Sequence, residues 1–410
     1  MKVIDTKTTY SLCFWLNTIT LLGSILLILL PKEGFSFQSF EFSSSSKIPA
    51  AIVQYLGYSD YTRVDGALLG ISVPVLFQNN VFPKLTGSIG YGAVSKRWQS
   101  RIAIEQSFGK LRMPTVYASL YDETASYDDV ISKGENILST LLVNRDYRDY
   151  LRMRGGEVKF SDKFGSQFRF SYTFRYREYF SLIGKEPWSL FYRNRIFRPN
   201  PPIQNGTETL VSIALMYDNR ENFFIETNSW YGEISFEHEM RDYKFTGVHF
   251  AIQRIQLGYG NQTLMVNCRG DFRNRTSAEQ YLFDLGGIGT MRGYNFKEYT
   301  GNNRLQLTAD YLFNGDFIHP GPLKSVPLLS SLSAGLFSEA GLAWFSNDVR
   351  PLSGVKLSET GSRLRDIKTD AGVSLLVFGK LLRIDIARRL DKNFDKSEWK
   401  FSLRVQPLQK

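Results

Sequence analysis

The residues of this sequence that could do chemistry are few and scattered. Its three histidines, His238, His249 and His319, are accompanied by no G-x-S-x-G or H-E-x-x-H motif. A nucleophile and its base must meet at one place, and the spacing of these histidines predicts no such meeting. No group of cysteine, histidine and carboxylate residues has metal-ligand spacing. The sequence therefore predicts neither an enzyme nor a metal or cofactor site, and we expect His238 and His249, on apolar strand faces, to be structural.

One arginine stands in a context that predicts a role. Arg292 lies in the stretch Tyr281–Phe296, whose glycines are too frequent for a helix or an ordinary strand. Period-two alternation flanks the stretch on both sides, at Leu264–Arg269 and Arg304–Tyr311. A loop of about 30 residues is rare unless it is functional or disordered, and its aromatic residues argue against disorder. We therefore predict a long loop folded into a cavity, where Arg292 binds an anion or a set of acceptors.

The same alternation recurs along the chain from Tyr61 onward. It is clearest at Gln167–Tyr176, where aromatic side chains fall on one face and polar or basic side chains on the other. Leu382–Ile386 and Trp399–Val405 alternate in the same way. A soluble sandwich would bury the aromatic faces, whereas a transmembrane barrel would turn them to lipid. Because the polar faces mix both signs of charge, we predict an all-β transmembrane antiparallel β-barrel over residues 61–410, with a long lumenal loop.

We identify about sixteen candidate strands, an even number as in single-chain bacterial barrels. Each is long enough for the roughly 10 residues that a tilted spanning strand needs. The segment 187–198 belongs to this set because only an even count places the stretch Tyr281–Phe296 outside the cell. The candidate strands lie near residues 63–76, 83–94, 98–109, 113–123, 150–162, 166–180, 187–198, 207–218, 229–241, 246–258, 261–271, 303–314, 331–345, 368–378, 380–390 and 398–406.

The long loop carries a resemblance to a known family. Its pattern resembles the GG…(V/L)RG(F/Y) motif of the BamA/TamA surface-antigen superfamily of outer-membrane barrels, through Gly286, Gly287, Met291, Arg292, Gly293 and Tyr294. The resemblance implies an extracellular loop that folds into the lumen. It also implies that Arg292 contacts acids on the neighbouring strands, and the polar strand faces offer Asp310 and Glu339 for this role.

Other segments extend the resemblance over roughly residues 61–406. Arg63–Gly66 resembles the motif that opens the first strand, Asp218–Arg220 resembles part of a conserved turn, and Phe337–Gly341 resembles F-x-D-x-G with Glu339 for the acid. The resemblance implies a barrel that assists insertion or translocation of protein or lipid. We expect no POTRA domain in residues 37–60, which are too few for one, although relatives that handle nascent barrels carry such domains; a structural or pore-forming barrel without assembly activity is therefore the alternative.

The first 60 residues predict export. Residues 1–36 resemble a signal peptide, with an apolar core at Leu21–Leu30 that Pro31 ends. An uncleaved anchor helix is the alternative reading of this segment. Residues 37–60, which contain a run of four serines, predict a short periplasmic tether. Cleavage would leave Cys268 as the single cysteine, so no intramolecular disulfide is expected.

The connection at residues 125–150 is longer than a barrel turn requires. Its segment Glu135–Tyr150 places apolar residues near helical spacing, which predicts a short amphipathic helix. By strand parity we expect this connection on the periplasmic side. There it would close the barrel mouth or dock a partner.

Closing the barrel requires that the first strand pair with the last, and both predicted strands have a nearby proline. Pro74 lies in the first predicted strand and Pro407 follows the last one. Since proline donates no ladder hydrogen bond and Gly70 adds no packing side chain, the sequence predicts a weak seam. Either the prolines lie outside the membrane band, or the seam opens laterally.

The charge of the chain and its distribution limit the classes of partner that we expect. The net charge is +10, but basic residues are spread singly along the strands instead of clustering on one face. This distribution argues against nucleic acid. We expect a monomer in the bacterial outer membrane, in contact with outer-membrane lipids and with periplasmic chaperones or the barrel-assembly machinery.

Overall fold

The computed structural model describes most of the chain from residue 36 to residue 405. The described residues are 36–42, 51–77, 82–109, 114–128, 131–186, 188–191, 196–220, 227–258, 262–313, 332–349, 366–377, 382–391 and 398–405. Residues 1–35 of the predicted signal peptide, the serine run, His319 and Pro407 lie outside them.

Strands dominate the described residues. They are β1 (Ser36–Phe42), β2 (Ala51–Thr62), β3 (Gly66–Phe77), β4 (Lys84–Gly92), β5 (Arg97–Ser107), β6 (Thr115–Ser126), β7 (Tyr150–Phe164), β8 (Phe168–Ser181), β9 (Gly206–Asp218), β10 (Ser229–Glu239), β11 (Thr246–Leu257), β12 (Thr263–Arg273), β13 (Phe283–Leu285), β14 (Tyr299–Gly301), β15 (Asn303–Phe313), β16 (Ser333–Trp344), β17 (Lys368–Val377), β18 (Leu382–Arg389) and β19 (Trp399–Val405). One helix, α1 (Lys133–Val143), lies between β6 and β7.

Every strand except β13 and β14 joins one antiparallel sheet. Pairing follows chain order from β1 to β12, continues from β12 to β15, and ends where β18 pairs with β19. β13 and β14 pair with each other inside the long connection. No register joins β19 to β1 or β2 in the described part of the chain, so the sheet is not closed.

The distribution of side chains is that of a membrane barrel and confirms the predicted fold class. Large apolar side chains are exposed on the outer face, as at Leu120, which is 69% exposed, and Phe174. Charged side chains are buried on the inner face, as at Glu339, Asp385 and Arg304. A soluble sheet would bury the opposite set. No helix in the described ranges has the length and apolarity to span a bilayer.

Antiparallel pairing places every second connection at the same end of the sheet. The turn between β2 and β3, the connection between β6 and β7 and the connection between β12 and β15 therefore share one end, which we call the loop end. We call residues 127–149 the helical connection and residues 274–302 the motif loop. Both fold back from the loop end into the lumen, because their charged side chains meet those of the inner strand faces.

Three strand predictions were wrong, and the sheet has seventeen strands among the described residues instead of sixteen. Residues 36–42 form β1 and residues 51–62 form β2, although residues 37–60 were expected to be a tether; apolar residues at both odd and even positions of the β2 sequence hide the period-two pattern. The segment 187–198 forms no strand at its described residues. Pro187 is its first residue and Pro199 follows its last, and the backbone N–H of Leu190 donates to the carbonyl of Leu141 in helix α1 instead of a sheet neighbour.

Helix α1 forms where amphipathic spacing predicts it, and its ends have sequence causes. The side chain of Ser132 accepts a hydrogen bond from the Glu135 N–H at the start, and Asn144 takes a left-handed conformation, with φ of 57°, at the end. The expected position at the end opposite the motif loop was wrong. Because β2 adds a strand before it, the helical connection lies at the same end as the motif loop.

The predicted seam residues do not lie at the ends of the sheet. Gly70 and Pro74 belong to β3, which pairs with β2 on one side and with β4 on the other. An added Cβ at Gly70 would meet the ring of Tyr58 at 2.2 Å, so the glycine makes room for a lumenal tyrosine. The assignment failed because β2, and not β3, lies next to the gap.

Candidate functional site

The motif loop makes a tight turn that aims Arg292 at the barrel wall. Gly287 has a φ of +82°, a conformation that a side chain would strain. Its N–H donates to the carbonyl of Met291 at 2.7 Å, and the Gly286 N–H donates to the Thr290 hydroxyl at 2.8 Å. The paired glycines therefore allow a compact loop whose next residue, Arg292, points away from the turn.

Arg292 is held by three carboxylates of the inner wall. Its backbone N–H donates to Oε2 of Glu339 at 2.6 Å, and its Nε donates to Oε1 at 2.9 Å. Nη1 and Nη2 each donate to Oδ1 of Asp310 at 3.1 Å, and Nη1 donates to Oδ1 of Asp385 at 3.3 Å. The guanidinium carbon lies 3.4 Å from the ring centroid of Phe337. The guanidinium group of Arg292 thus donates hydrogen bonds to carboxylates in its plane, and the ring of Phe337 covers one face of that plane.

A second arginine completes this cluster. Arg383, on β18, donates to Oδ1 of Asp310 at 2.5 Å and to Oδ1 of Asp385 at 2.8 Å. Arg292, Asp310 and Asp385 are each less than 10% exposed at the side chain. Because unpaired buried charges are costly, the cluster is stable only with all its members present. We call Arg292, Arg383, Asp310, Glu339 and Asp385 the wall cluster.

The two residues after Arg292 fasten the turn to β17. The Gly293 N–H donates to Oδ2 of Asp370 at 2.7 Å, and an added Cβ would lie 2.7 Å from the Asp370 Cβ. The Tyr294 hydroxyl donates to the carbonyl of Thr369 at 3.0 Å. The guanidinium of Arg389 lies 4.1 Å from the Tyr294 ring centroid. The RGY segment therefore binds strands β15 to β18 as one surface.

The beginning of the motif loop packs on another part of the wall. Tyr281 lies in an apolar cluster with Tyr179, Tyr243 and Phe245, and it is 6% exposed. Its hydroxyl donates to Oε2 of Glu208 at 2.6 Å. These residues belong to β8, β9 and the β10–β11 turn region. The motif loop is therefore fixed to the wall at two places, by the RGY segment at β15–β18 and by Tyr281 at β8, β9 and the β10–β11 turn.

The end of the turn is fixed to the helical connection by a lysine. Nζ of Lys297 lies 2.8 Å from Asp128, 2.6 Å from Asp149 and 2.7 Å from Asp284. Burial would lower the pKa of Lys297, but the three carboxylates outweigh it and raise the pKa well above the ordinary value. Lys297 is therefore charged at neutral pH and links the two lumenal segments.

The carboxylates around Lys297 have opposite pKa shifts. Burial raises the pKa of Asp128 and is only partly offset by Lys297. Burial also acts on Asp149, but there Lys297 and Arg198 outweigh it and hold the pKa below its ordinary value. Asp149 is thus the permanent anion of this link.

A cavity of about 560 Å³ lies between the motif loop, the helical connection and strands β6 to β12. Its lining includes His249, whose ring nitrogens lie 2.8 Å from Glu237 and 2.9 Å from Asp271. The expectation that His249 occupies an apolar face was wrong, since it is lumenal. His238 does lie on the outer face, where its Nδ1 is 2.9 Å from the Thr246 hydroxyl. In the described ranges no group of potential ligands has the arrangement of a metal site.

The structure brings together most of the residues that the sequence singled out, and it adds others. Gly286, Gly287, Arg292, Gly293 and Tyr294 lie in one turn, and Asp310 and Glu339 contact it. Sequence reasoning missed Asp385 and Lys297. Asp385 alternates with apolar residues on β18, a signal for a lumenal acid, but nothing in the sequence places β18 beside the motif loop.

The comparisons with known proteins support the same fold. A model for a family of unknown function (DUF5686), C-terminal domain, matches residues 38–222. The structure of BamA from Haemophilus ducreyi lacking POTRA domains 1–3 is similar, with a TM-score of 0.55 and 12% identity, over 94% of this chain and 77% of that one. CdiB from Acinetobacter baumannii gives a TM-score of 0.41 at 11% identity, over 87% of this chain and 59% of that one. No curated protein matches.

At 12% identity the likeness to BamA concerns the fold alone. The chain therefore has a β-barrel fold similar to that of BamA, with the motif loop bound on the lumenal side of the sheet. The fold leaves the activity to be argued from the site.

Proposed function

We propose that this chain is a bacterial outer-membrane barrel that assists insertion or translocation of protein or lipid by opening between its end strands. The observation that carries the proposal is the junction between β19 and residues 57–62 of β2, which are not paired with each other in the described part of the chain, next to a loop that the wall cluster fixes to β15–β18. A strand edge without a partner offers backbone donors and acceptors to an incoming chain. Its partners are then outer-membrane lipids and the polypeptides or chaperones that reach it from the periplasm, and the barrel works as a monomer without enzymatic chemistry.

The occupied lumen supports this reading over that of a simple channel. Arg292 and Tyr281 hold the motif loop across the interior, and helix α1 lies inside as well. A structural or pore-forming barrel is the second candidate, and the cavity of about 560 Å³ favours it. The two candidates differ in where the molecule must move, because a pore can work with a rigid wall.

A reversible crosslink across the junction tests the proposal. Cysteines replace Gly57 on β2 and Leu403 on β19, in a background with Cys13→Ser and Cys268→Ser, and reducible crosslinkers of several lengths join them. The matched control pair is Ile102 and Leu120, which face each other on the paired strands β5 and β6. We measure insertion of an eight-stranded client barrel into proteoliposomes, and conductance in planar bilayers.

The expected result is loss of client insertion with the junction crosslinked, recovery after reduction, and no change with the control pair. Full insertion activity with the junction closed would contradict the proposal. Conductance without any insertion activity, crosslinked or not, would favour the pore.

A further inference from the structure

Helix α1 lies at the gap between the two ends of the sheet. β19 pairs with β18 alone among the described strands, and residues 57–62 of β2 pair with β3 alone. Helix α1 contacts both β2 and β19 from the lumenal side. It is therefore the element that bridges the edges that the sheet leaves unpaired.

In the described part of the chain, one ion pair joins helix α1 to β19. Nε and Nη2 of Arg404 donate to the two carboxylate oxygens of Glu135, at 3.0 and 3.3 Å. Glu135 is 4% exposed at the side chain and Arg404 is 19% exposed. Because the pair is largely removed from water, loss of one partner leaves an uncompensated charge.

The contact with the β2 side is much more extensive. Arg63, in the turn after β2, lies 3.2 Å from Asp146 and 2.7 Å from Asp149, and its backbone N–H donates to Asp146 at 2.9 Å. Arg63 is fully buried. Lys133 adds a partly exposed pair with Asp60 on β2 at 3.0 Å. Among the described residues, several buried polar contacts thus fasten the helical connection to the β2 side of the gap, and one ion pair fastens it to β19.

We propose that helix α1 is a lumenal clasp that keeps the gap narrow, and that it releases β19 while staying on β2 when the gap widens. This inference rests on the proposed function for its purpose, but its contacts are independent of any client. The breakable contact is Glu135–Arg404. The segments that move apart are β19 on one side and β2 with the helical connection on the other.

Spin-label distances in the full chain test the clasp. The chain is reconstituted in lipid nanodiscs with Cys13→Ser and Cys268→Ser, and labels are placed in pairs among Gly57 on β2, Arg145 after helix α1, and Leu403 on β19. Nothing lies within 4 Å of a Cβ at Gly57, and Leu403 is exposed on the outer face. The three pairs report the gap, the helix–β2 distance and the helix–β19 distance.

Glu135→Gln is expected to raise the population with a long Gly57–Leu403 distance by roughly tenfold, because it removes one member of a largely buried pair. The Arg145–Leu403 distance lengthens with it, and the Arg145–Gly57 distance stays unchanged. Glu157→Gln is the matched control, since Glu157 forms a lumenal pair with Arg177 at 2.8 Å away from the gap. The exchange Glu135→Arg with Arg404→Glu is expected to restore the narrow gap.

Unchanged distances in both Glu135→Gln and Arg404→Gln would overturn the clasp, as would equal widening in Glu157→Gln. Failure of the clasp and failure of the proposed function can be told apart. If the gap widens but crosslinking it leaves client insertion intact, the clasp stands and the proposed function fails. If the distances are fixed while crosslinking abolishes insertion, the clasp fails and the proposed function stands.

Discussion

Nζ of Lys297 lies 2.6 Å from Oδ2 of Asp149, a carboxylate that precedes it by 148 positions in the chain. The ring of Phe296 also lies against Tyr147, with centroids 5.3 Å apart. The motif loop and the helical connection are therefore one lumenal body. Any movement of the motif loop acts on the segment that carries helix α1.

Lys297→Met should separate the two lumenal segments, because Asp128, Asp149 and Asp284 lose their shared cation. We expect amide hydrogen exchange in residues 131–149 to rise by about tenfold or more, as for other broken buried pairs. Lys400→Met is the matched control, since its partner Glu398 is 84% exposed and the pair contributes little. Equal exchange in both variants would contradict the link.

Low pH should weaken the ion pairs between Lys297 and the helical connection, because it protonates Asp149. Its folded pKa is below the ordinary value of about 3.9, so its contribution to stability is present above that pH and is lost as pH falls through the folded pKa. Because the pKa of Asp128 is raised, its protonation at low pH favours the folded state, opposite to the effect of Asp149. The substitution Asp128→Asn removes this contribution of Asp128 to the pH dependence of stability. Lys297, with a raised pKa, loses its contribution only as pH rises above about 10.4.

The measurement is resistance to thermal unfolding in detergent, followed by tryptophan fluorescence from neutral pH down to about pH 3. The Asp128→Asn variant should lose stability at the acid end. Adding Asp149→Asn should lower stability at neutral pH and make the acid loss smaller. If stability falls with pH by the same amount in the two variants, protonation of Asp149 does not contribute to the acid loss of stability.

Arg292→Ala should weaken the barrel and release the motif loop. It leaves Glu339, Asp310 and Asp385 with too little positive charge, a change that typically costs about 3–5 kcal/mol. The unfolding midpoint in denaturant with detergent measures this loss. Arg220→Ala is the control, because its pair with Asp218 is about one third exposed and should contribute about 1 kcal/mol or less. A silent Arg292→Ala would exclude the wall cluster as a lock.

Gly293→Ala tests the fit of the turn against β17 without changing charge. The added Cβ would lie 2.7 Å from the Asp370 Cβ, which forces a shift of the turn or the strand. We expect destabilisation of about 1–3 kcal/mol, the usual cost of overpacking. Gly232→Ala on β10 is the matched control, since nothing lies within 4 Å of its added Cβ. Similar unfolding midpoints for both variants would refute the steric argument.

The contacts of Arg292 with Asp310 and Glu339 could be predicted because strand alternation places both acids on lumenal faces and the resemblance to the BamA/TamA superfamily implies a contact between the loop arginine and such acids. The same rule marks Asp385 as lumenal. Strand alternation could not predict that Asp385 contacts Arg292, since this contact depends on how the motif loop crosses the barrel. Lys297 was missed for the same reason: its partners lie in another connection, far away in sequence.

The errors in strand assignment also have physical causes. β2 has apolar residues at both parities, such as Val53 and Ile52, so no alternation marks it. The segment 187–198 looks like a strand from its aromatic residues, but at least some of its apolar side chains pack inward: Phe197 is 8% exposed. Composition alone does not distinguish a strand from a loop buried against a lumenal helix.

The outer face gives the last prediction. Leu120, on β6, is 69% exposed, and in a bilayer that exposure is to lipid. Leu120→Arg should therefore destabilise the barrel by about 2–4 kcal/mol in lipid if it lies near the midplane. Ser235→Arg is the control, because Ser235 lines the lumenal cavity, where Glu233 and Glu237 also lie. Unfolding in lipid bilayers should separate the two variants, and a Leu120→Arg variant as stable as the parent would place this face in water.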